Sequence, residues 1–377
     1  MKILIDYTQI PLQRVGVGYY AFNLLRNIDY NNPKIKYLIL LQNDDYETER
    51  LLSDKNAEII KVNASRYRNF LSRIFFEQII IPQICKKRKI DVLHSLHYSF
   101  PLALKKTKII VTIHDLTFFL TPQYHILIKN LYFRFFIKMA AKKAKKIICV
   151  SQSTKNDFLK LTNANPLKCE RIYLGIESTY SDFQPDFTFE EELKLKYNIV
   201  GKYILFIGTI EPRKNIVTLL AAFNSIKTKY PEIKLVIAGK KGWNSKNIYQ
   251  YITENSLEGE IIFTNYITEK EKLHLLKSAS IFVYPSNYEG FGIPVLEALS
   301  IGTPTITSNI SSLPEVAGNG AVLVTPTSVT EIEDGISRIL EDKEYREKLI
   351  LNGKLHSQRF SWEKMALETI NVYEQQR

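Results

Sequence analysis

Cysteine is almost missing from this chain of 377 residues: Cys85, Cys149 and Cys169 stand far apart, and no C-x-x-C pair occurs. An odd, scattered set argues against a disulfide framework and a zinc site, and points to a reducing compartment. Long apolar runs are missing too, none approaching the ~20 residues of a membrane span. The opening Met1-Lys2-Ile3-Leu4-Ile5-Asp6 has too short an apolar core for a secretory signal. A cytoplasmic protein is therefore expected. Three catalytic signatures are lacking. Without G-x-x-x-x-G-K-[ST] no P-loop ATPase is expected, and without G-x-S-x-G no α/β-hydrolase elbow. No D-x-D occurs either, so any sugar diphosphate would have to be held without the usual manganese clamp. Acidic residues are in the minority: 39 against 51 Lys and Arg, for a net charge of +12. That balance suits an anionic partner such as nucleic acid, a membrane face or phosphorylated small molecules.

What is present is ordinary for a folded protein, with 45% hydrophobic and 24% charged residues. The length suits two domains. Short β-branched runs recur in the first half at Ile3–Ile5, Tyr37–Leu41, Val92–Leu93, Ile109–Ile113 and Ile147–Val150. The second half repeats the pattern at Tyr203–Ile207, Leu235–Ala238, Ile261–Phe263, Ile281–Tyr284, Thr305–Thr307 and Ala321–Val324. Runs apolar on both faces fit buried parallel strands. Segments of helical spacing lie between them, such as Ile216–Lys227 and Glu269–Ala279, the latter opened by Thr268 and Glu271 as a capping box. The expected fold is α/β with two Rossmann-like, doubly wound parallel sheets. The polar, irregular stretch Glu177–Glu191 is the expected boundary, giving domains 1–178 and 192–361.

The richest segment is Ser286–Glu297, which carries Glu289, Gly290, Gly292, Pro294 and Glu297 between a strand and a helix. Its glycines let backbone approach a ligand, and helix-start N–H groups suit phosphate. Two carboxylates would repel phosphate. They suit a ligand with phosphate at its middle and hydroxyl-rich rings at both ends. Gly208-Thr209-Ile210-Glu211-Pro212-Arg213-Lys214-Asn215 has the same strand–loop–helix character. Arg213 and Lys214 there suit a diphosphate, the first as a fork and the second as a point charge. In the first half, His114 ends an apolar strand, where it can reach a sugar hydroxyl or phosphate, with Asp115 to orient it. His94 suits a packing role better. Gly16 and Gly18 follow the first strand, but Ala21 holds the place of the third dinucleotide-fingerprint glycine. A nicotinamide enzyme is disfavoured, while a loop that admits phosphate is not.

The spacing of Glu289 and Glu297 within Y-E-G-F-G-I-P-V-L-E resembles the E-x7-E hallmark of the retaining GT-B glycosyltransferases (glycosyl transferases group 1). V-T-I-H-D-L, G-T-I-E-P-R-K-N, S-N-I-S-S-L-P-E-V-A-G and the closing F-S-W extend the resemblance over nearly the whole chain. It implies a GT-B fold with an interdomain cleft, donor binding in domain 192–361, and a last helix, 362–377, packing back on the acceptor-binding N-terminal domain. It also implies that Glu289 meets the transferred sugar and Glu297 the ribose. Arg213 and Lys214 would hold the diphosphate, near backbone N–H groups of Phe291, Gly292 and Ile293, and His114 would meet the donor sugar or the acceptor. Many members carry Arg where this chain has Thr209, so Arg213 is expected to supply that charge. Tyr266, after the Ile261–Phe263 strand, is expected to face the base. The implied reaction transfers a hexose, first of all mannose, from a nucleotide sugar, without metal or further cofactor. The resemblance is to mannosyltransferases of O-antigen assembly.

Two stretches interleave cations with aromatics. Arg66–Lys89 includes Arg68, Arg73, Phe70, Phe75 and Phe76, and Lys129–Lys146 includes Arg134, Tyr132, Phe133, Phe135 and Phe136. They fit contact with an anionic membrane and a glycan or polyprenyl-diphosphate-linked acceptor at the inner face of the cytoplasmic membrane. Nucleic-acid binding would account for the charge but not for the two glutamates, and no recognition motif is present. A GT-B-shaped phosphorylase or sugar-nucleotide epimerase is the other alternative. A phosphorylase would ordinarily need a pyridoxal-binding lysine site, for which the sequence gives no support.

Overall fold

The computed structural model describes residues 1–12, 14–67, 69–243 and 245–377. Arg68, counted above in the first basic stretch, lies outside them. The chain divides into two compact units, Met1–Gly175 with Ser361–Arg377, and Ile176–Phe360.

The first unit is built on seven parallel strands: β1 (Lys2–Asp6), β2 (Lys36–Gln42), β3 (Ala57–Val62), β4 (Val92–Ser95), β5 (Lys108–Ile113), β6 (Lys146–Cys149) and β7 (Cys169–Arg171). Their order is β3-β2-β1-β4-β5-β6-β7. Alternate residues of one strand face opposite layers. Leu38 and Leu40 of β2 pack with Phe76 and Ile81. Tyr37, between Leu38 and the strand start, meets Tyr373 of the final helix, Trp362–Glu374. Helices therefore cover both faces, and the inner strands need apolar residues at every position. The two edge strands escape that demand. β3 carries Glu58 and Lys61, and β7 is only Cys169-Glu170-Arg171. Neither shows the two-faced apolar run by which the other strands are recognisable.

The second unit holds six parallel strands: β8 (Tyr203–Ile207), β9 (Lys234–Ala238), β10 (Ile261–Asn265), β11 (Ile281–Tyr284), β12 (Thr305–Ser308) and β13 (Ala321–Val324). Their order is β10-β9-β8-β11-β12-β13. In both sheets the winding reverses beside the first strand, between β1 and β4 and between β8 and β11. Such a reversal leaves the two flanking loops diverging at the carboxyl ends of the strands, where open α/β sheets receive ligands.

The structure corrects the boundary drawn from composition. The stretch 179–191 belongs to the second unit and is partly helical, with helices Ser178–Ser181 and Phe187–Tyr197. Burial explains the difference. Tyr180 and Leu193 are buried, and His274 takes the Asp186 N–H on Nε2 between the rings of Phe183 and Phe189. A few well-placed apolar side chains dock a segment that looks irregular in sequence. The chain leaves and re-enters the first unit at one point. A Cβ on Gly175 would stand 2.1 Å from the Trp362 nitrogen, so only glycine permits that crossing.

The final helix is tied into the first unit by a buried polar chain. Tyr373 OH pairs with His94 Nδ1 at 2.6 Å, His94 Nε2 with Thr112 Oγ1 at 2.9 Å, and Thr112 with Tyr20 OH at 2.9 Å. Burial pushes the His94 imidazole down to about 3, with His114 adding to the effect. The unfolded chain thus binds a proton near pH 6.5 that the folded one refuses, so this stability is complete above pH 6.5 and is lost as pH falls toward 3. At pH 5 the loss from His94 is about 2 kcal/mol. Denaturant unfolding at pH 7 and pH 5 should show it for the first unit. The difference should shrink in His94→Asn, and an unchanged difference would remove His94 as its source.

Candidate active site

The loops after β8 and β11, at the reversal of the second sheet, are fastened together by a backbone hydrogen bond and by the Asn215 side chain. Asn287 N–H donates to Arg213 O at 2.8 Å, and Asn215 Nδ2 donates to Pro285 O at 3.1 Å. Asn215 is left-handed, φ 57°, and turns the chain from Pro212–Lys214 into the helix Ile216–Lys227. Past β11, Gly292 has φ 110° and opens the helix Ile293–Ile301, with Pro294 in its first turn. A Cβ there would lie 2.7 Å from Leu313. Ser312 Oγ donates to Glu289 O at 3.0 Å and to Phe291 O at 2.7 Å, and Glu289 N–H donates to Ser311 Oγ at 3.1 Å. The backbone around Glu289 is therefore fixed on both sides.

The Glu289 carboxylate is buried and collects donors from both loops. Oε1 accepts from Lys214 Nζ at 2.6 Å, Ser286 Oγ at 2.7 Å and Tyr284 OH at 3.0 Å, and Oε2 accepts from Arg213 Nη1 at 2.7 Å. Burial alone would raise this carboxyl, but Arg213 and Lys214 outweigh it and hold it down at about 2. Burial and Arg213 lower the Lys214 ammonium, against the pull of Glu289. Glu211 completes the group by accepting from Arg213 Nη2 at 2.7 Å and Nε at 3.1 Å. The two cations offered by the sequence to a diphosphate thus face two carboxylates of their own chain. Lys214 still has donor capacity. Of the three N–H groups of an ammonium, one goes to Glu289 and one to Tyr284 OH, at 2.5 Å.

Glu297 lies one turn inside the helix and joins a separate cluster. Its Oε1 accepts from Lys272 Nζ at 2.6 Å and Tyr180 OH at 2.9 Å. Tyr180 OH also reaches Glu269 at 2.5 Å, and Lys272 pairs with Glu269 at 3.0 Å. Burial raises the Glu297 carboxyl, Lys272 opposes that, and Glu269 adds to it. Thr209 is exposed in the loop after β8. Tyr266 is exposed after β10 with the Lys240 ammonium 5.0 Å from its ring centroid. β10 lies three strand positions from β11, about 14 Å at ~4.8 Å per strand.

In the first unit, Gly16 caps the helix Val17–Asn27, which contains Gly18, beyond the carboxyl end of β1. His114 follows β5, buried, with Nε2 on Leu96 O at 2.8 Å, and burial lowers it to about 4. Asp115 does not orient it as expected. Its Oδ1 accepts from Thr117 Oγ1 at 2.7 Å and Tyr98 OH at 2.9 Å, because the turn after β5 bends it toward its own helix start. Glu211, Tyr284, Ser286, Lys272 and Tyr180 were not anticipated. Glu211 lies inside the G-T-I-E-P-R-K-N stretch and Ser286 opens the Ser286–Glu297 segment, so the motifs themselves point to both. Nothing in the sequence around Tyr180 or Lys272 signals Glu297.

Set beside known proteins, this architecture is that of a GT-B glycosyltransferase. Anabaena HepE in complex with UDP and glucose matches over 99% of both chains with a TM-score of 0.76 and 17% identity. WaaG, a glycosyltransferase involved in lipopolysaccharide biosynthesis, matches over 99% of both chains at 0.70 and 13%. The description Glycosyl transferases group 1 matches residues 189–356, and Glycosyltransferase Family 4 matches residues 15–180. The O-antigen chain mannosyltransferase B of Escherichia coli is 30% identical over 387 aligned residues, covering 99% of each chain. O-antigen chain mannosyltransferase RfbU of Salmonella typhimurium strain LT2 is 28% identical, over 73% of this chain and 72% of its own. The chain belongs to the glycosyl transferases group 1 family.

The buried Lys214–Glu289 pair has a measurable signature. Glu289→Gln leaves a desolvated ammonium without its anion and should cost about 3–5 kcal/mol in the second unit. Lys214→Met should cost a comparable amount, and the double variant much less than the sum. Denaturant unfolding of the three variants measures the coupling, and additive losses would contradict a direct pair.

Proposed function

We propose that this glycosyltransferase is a retaining hexosyltransferase that moves mannose from GDP-mannose to a glycan or polyprenyl-diphosphate-linked acceptor in surface polysaccharide assembly. It uses no metal and no cofactor beyond the donor itself. The observation that carries this reading is Glu289, kept ionised and fixed between Arg213 and Lys214 at the reversal of the second sheet. An ionised carboxylate there accepts hydroxyls of the transferred hexose. The Lys214 donor left over by Glu289 and Tyr284 turns to the departing diphosphate, as do helix-start N–H groups at Gly292 and Ile293. Charge builds on that diphosphate as the anomeric carbon gains oxocarbenium character, and preorganised cations favour that state. Retention follows from same-face attack, with the leaving phosphate oxygen taking the acceptor proton. Mannose is favoured because the two O-antigen relatives, the nearest in sequence of those named above, are mannosyltransferases. GDP release from GDP-mannose should require an acceptor, and Lys214→Ala should lower kcat/KM by at least about 100-fold. Near-wild-type turnover of that variant would contradict the phosphate role.

The enzyme works at the inner face of the cytoplasmic membrane, held by two neighbouring helical stripes of the first unit, and binds no nucleic acid. Support comes from which side chains turn outward. Phe76 and Phe136 are buried, and Arg73 turns inward to Asp6 at 2.7 Å, so these members of the basic stretches serve the core. The exposed apolar residues include Leu71, Phe75 and Ile79 on one segment and Leu127, Leu131 and Phe135 on the other, with Phe70, Ile126 and Ile128 exposed beside them. Leu71, Phe75 and Ile79, like Leu127, Leu131 and Phe135, recur every four residues, which is one helix face, and the Phe70–Tyr132 ring contact, 5.1 Å between centroids, brings the segments together. Lys86, Lys87, Lys129, Lys138 and Lys142 are exposed in the same segments. Apolar stripes with surrounding cations suit an anionic bilayer surface. Among the described residues no helix is long and apolar enough to cross a membrane. The protein should float with anionic vesicles at low salt, and Leu71→Glu with Leu131→Glu should weaken binding about tenfold or more. Absence of wild-type binding would sink the membrane role.

A further inference from the structure

The cluster around Glu297 holds a residue that neither the E-x7-E motif nor the relatives assign. Glu297 is buried on the helix Ile293–Ile301, and both donors that the protein gives it, Lys272 Nζ and Tyr180 OH, fall on Oε1. No hydrogen bond among the described residues falls on Oε2. One oxygen is therefore anchored while the other is left for a ligand. Lys272 is itself buried, in the first turn of the helix Glu269–Ser278, and is held against Glu269 at 3.0 Å and over the Tyr180 ring. Its stem cannot swing away to solvent. A second carboxylate, Glu269, lies within the same cluster. Burial of Glu297 and the nearby, half-exposed Glu269 both favour its protonation, and Lys272 opposes them; a protonated Glu297 would give up part of its capacity to accept hydroxyls.

We infer that Lys272 is a positioning residue for the donor's ribose: it fixes Oε1 of Glu297, keeps the carboxylate an acceptor, and so presents Oε2 to the ribose hydroxyls. This rests on the assignment of Glu297 to the ribose made above. Tyr180 shares the anchoring, but a hydroxyl has one proton and two carboxylates to serve, so it cannot replace the ammonium. The role concerns affinity for the nucleoside and not the bond-breaking step. Loss of Lys272 should raise the donor KM and leave kcat little changed.

The test compares affinity for GDP with affinity for 2′,3′-dideoxy-GDP by calorimetry, with UDP and its dideoxy counterpart in parallel. Wild type should prefer the ribose form by about tenfold, roughly the effect of one charge-assisted hydrogen bond. Lys272→Met should lose that preference, and Lys272→Arg should restore most of it. In the Glu297→Gln background, Lys272→Met should change nothing further. A Lys272→Met protein that binds nucleotide with its ribose preference intact overturns the proposal, even if overall affinity falls, since Lys272 would then act elsewhere on the ligand. If Glu297→Gln alone keeps the preference, the ribose assignment of Glu297 fails and takes this proposal with it. Circular dichroism and melting of each variant separate these outcomes from misfolding.

Discussion

A cation without its anion is intolerable in a low-dielectric interior, and the second unit is arranged around that fact. Lys214 is buried at the carboxyl end of the central strand β8, where desolvation works against its charge. Glu289 answers from the next strand's loop, and the pair is stable only because Tyr284, Ser286, Arg213 and the serines beyond it satisfy the remaining polar atoms. Breaking a buried pair costs far more than forming it gains. The geometry is thus fixed before a ligand arrives, as electrostatic preorganisation requires.

The two glutamates of the motif share a helix start but live under different conditions. Glu289 has cations on both oxygens and is held strongly acidic. Glu297 has one cation, a second carboxylate nearby and one open oxygen, and its acidity is weakened. The same side chain is in one place a fixed anion among cations and in the other an acceptor with room for a partner. Spacing along the chain could not separate these conditions, because the partners come from β8's loop in one case and from Lys272 and Tyr180 in the other.

Much of the fold was legible. Eleven of the strands announce themselves because a strand covered on both faces must be apolar throughout, and the capping box of Thr268 and Glu271 appears as the spacing predicts. β3 and β7 were not legible, since β3 carries Glu58 and Lys61 and β7 is only Cys169-Glu170-Arg171. The helices within 179–191 were obscured by their polar surface, although Tyr180 and Leu193 dock them. Arg213, Lys214 and Glu289 stand after strand ends in the sequence, and the structure brings those three together. Their mutual neutralisation is hidden in the sequence, because it depends on the loops of two strands that are adjacent in the sheet while the paired residues stand 75 and 76 positions apart. The basic stretches show the same limit. Their cations and aromatics are countable in sequence, but only packing decides that Phe76 and Arg73 turn inward while Leu71 and Leu131 turn out.

The sequence by itself determined the class of fold, the placing of the glycine-bearing loops and the family, because these rest on local rules: apolar runs for buried strands, glycine where φ is positive, and carboxylates at fixed spacing. The tertiary structure alone decided which charges meet. Lys272 and Glu297 stand on different helices, and Tyr180 comes from a segment that reads as a linker. A desolvated charge needs its partner at hydrogen-bonding distance to offset the cost of burial, so a few ångströms of packing choose the partner that sequence distance hides.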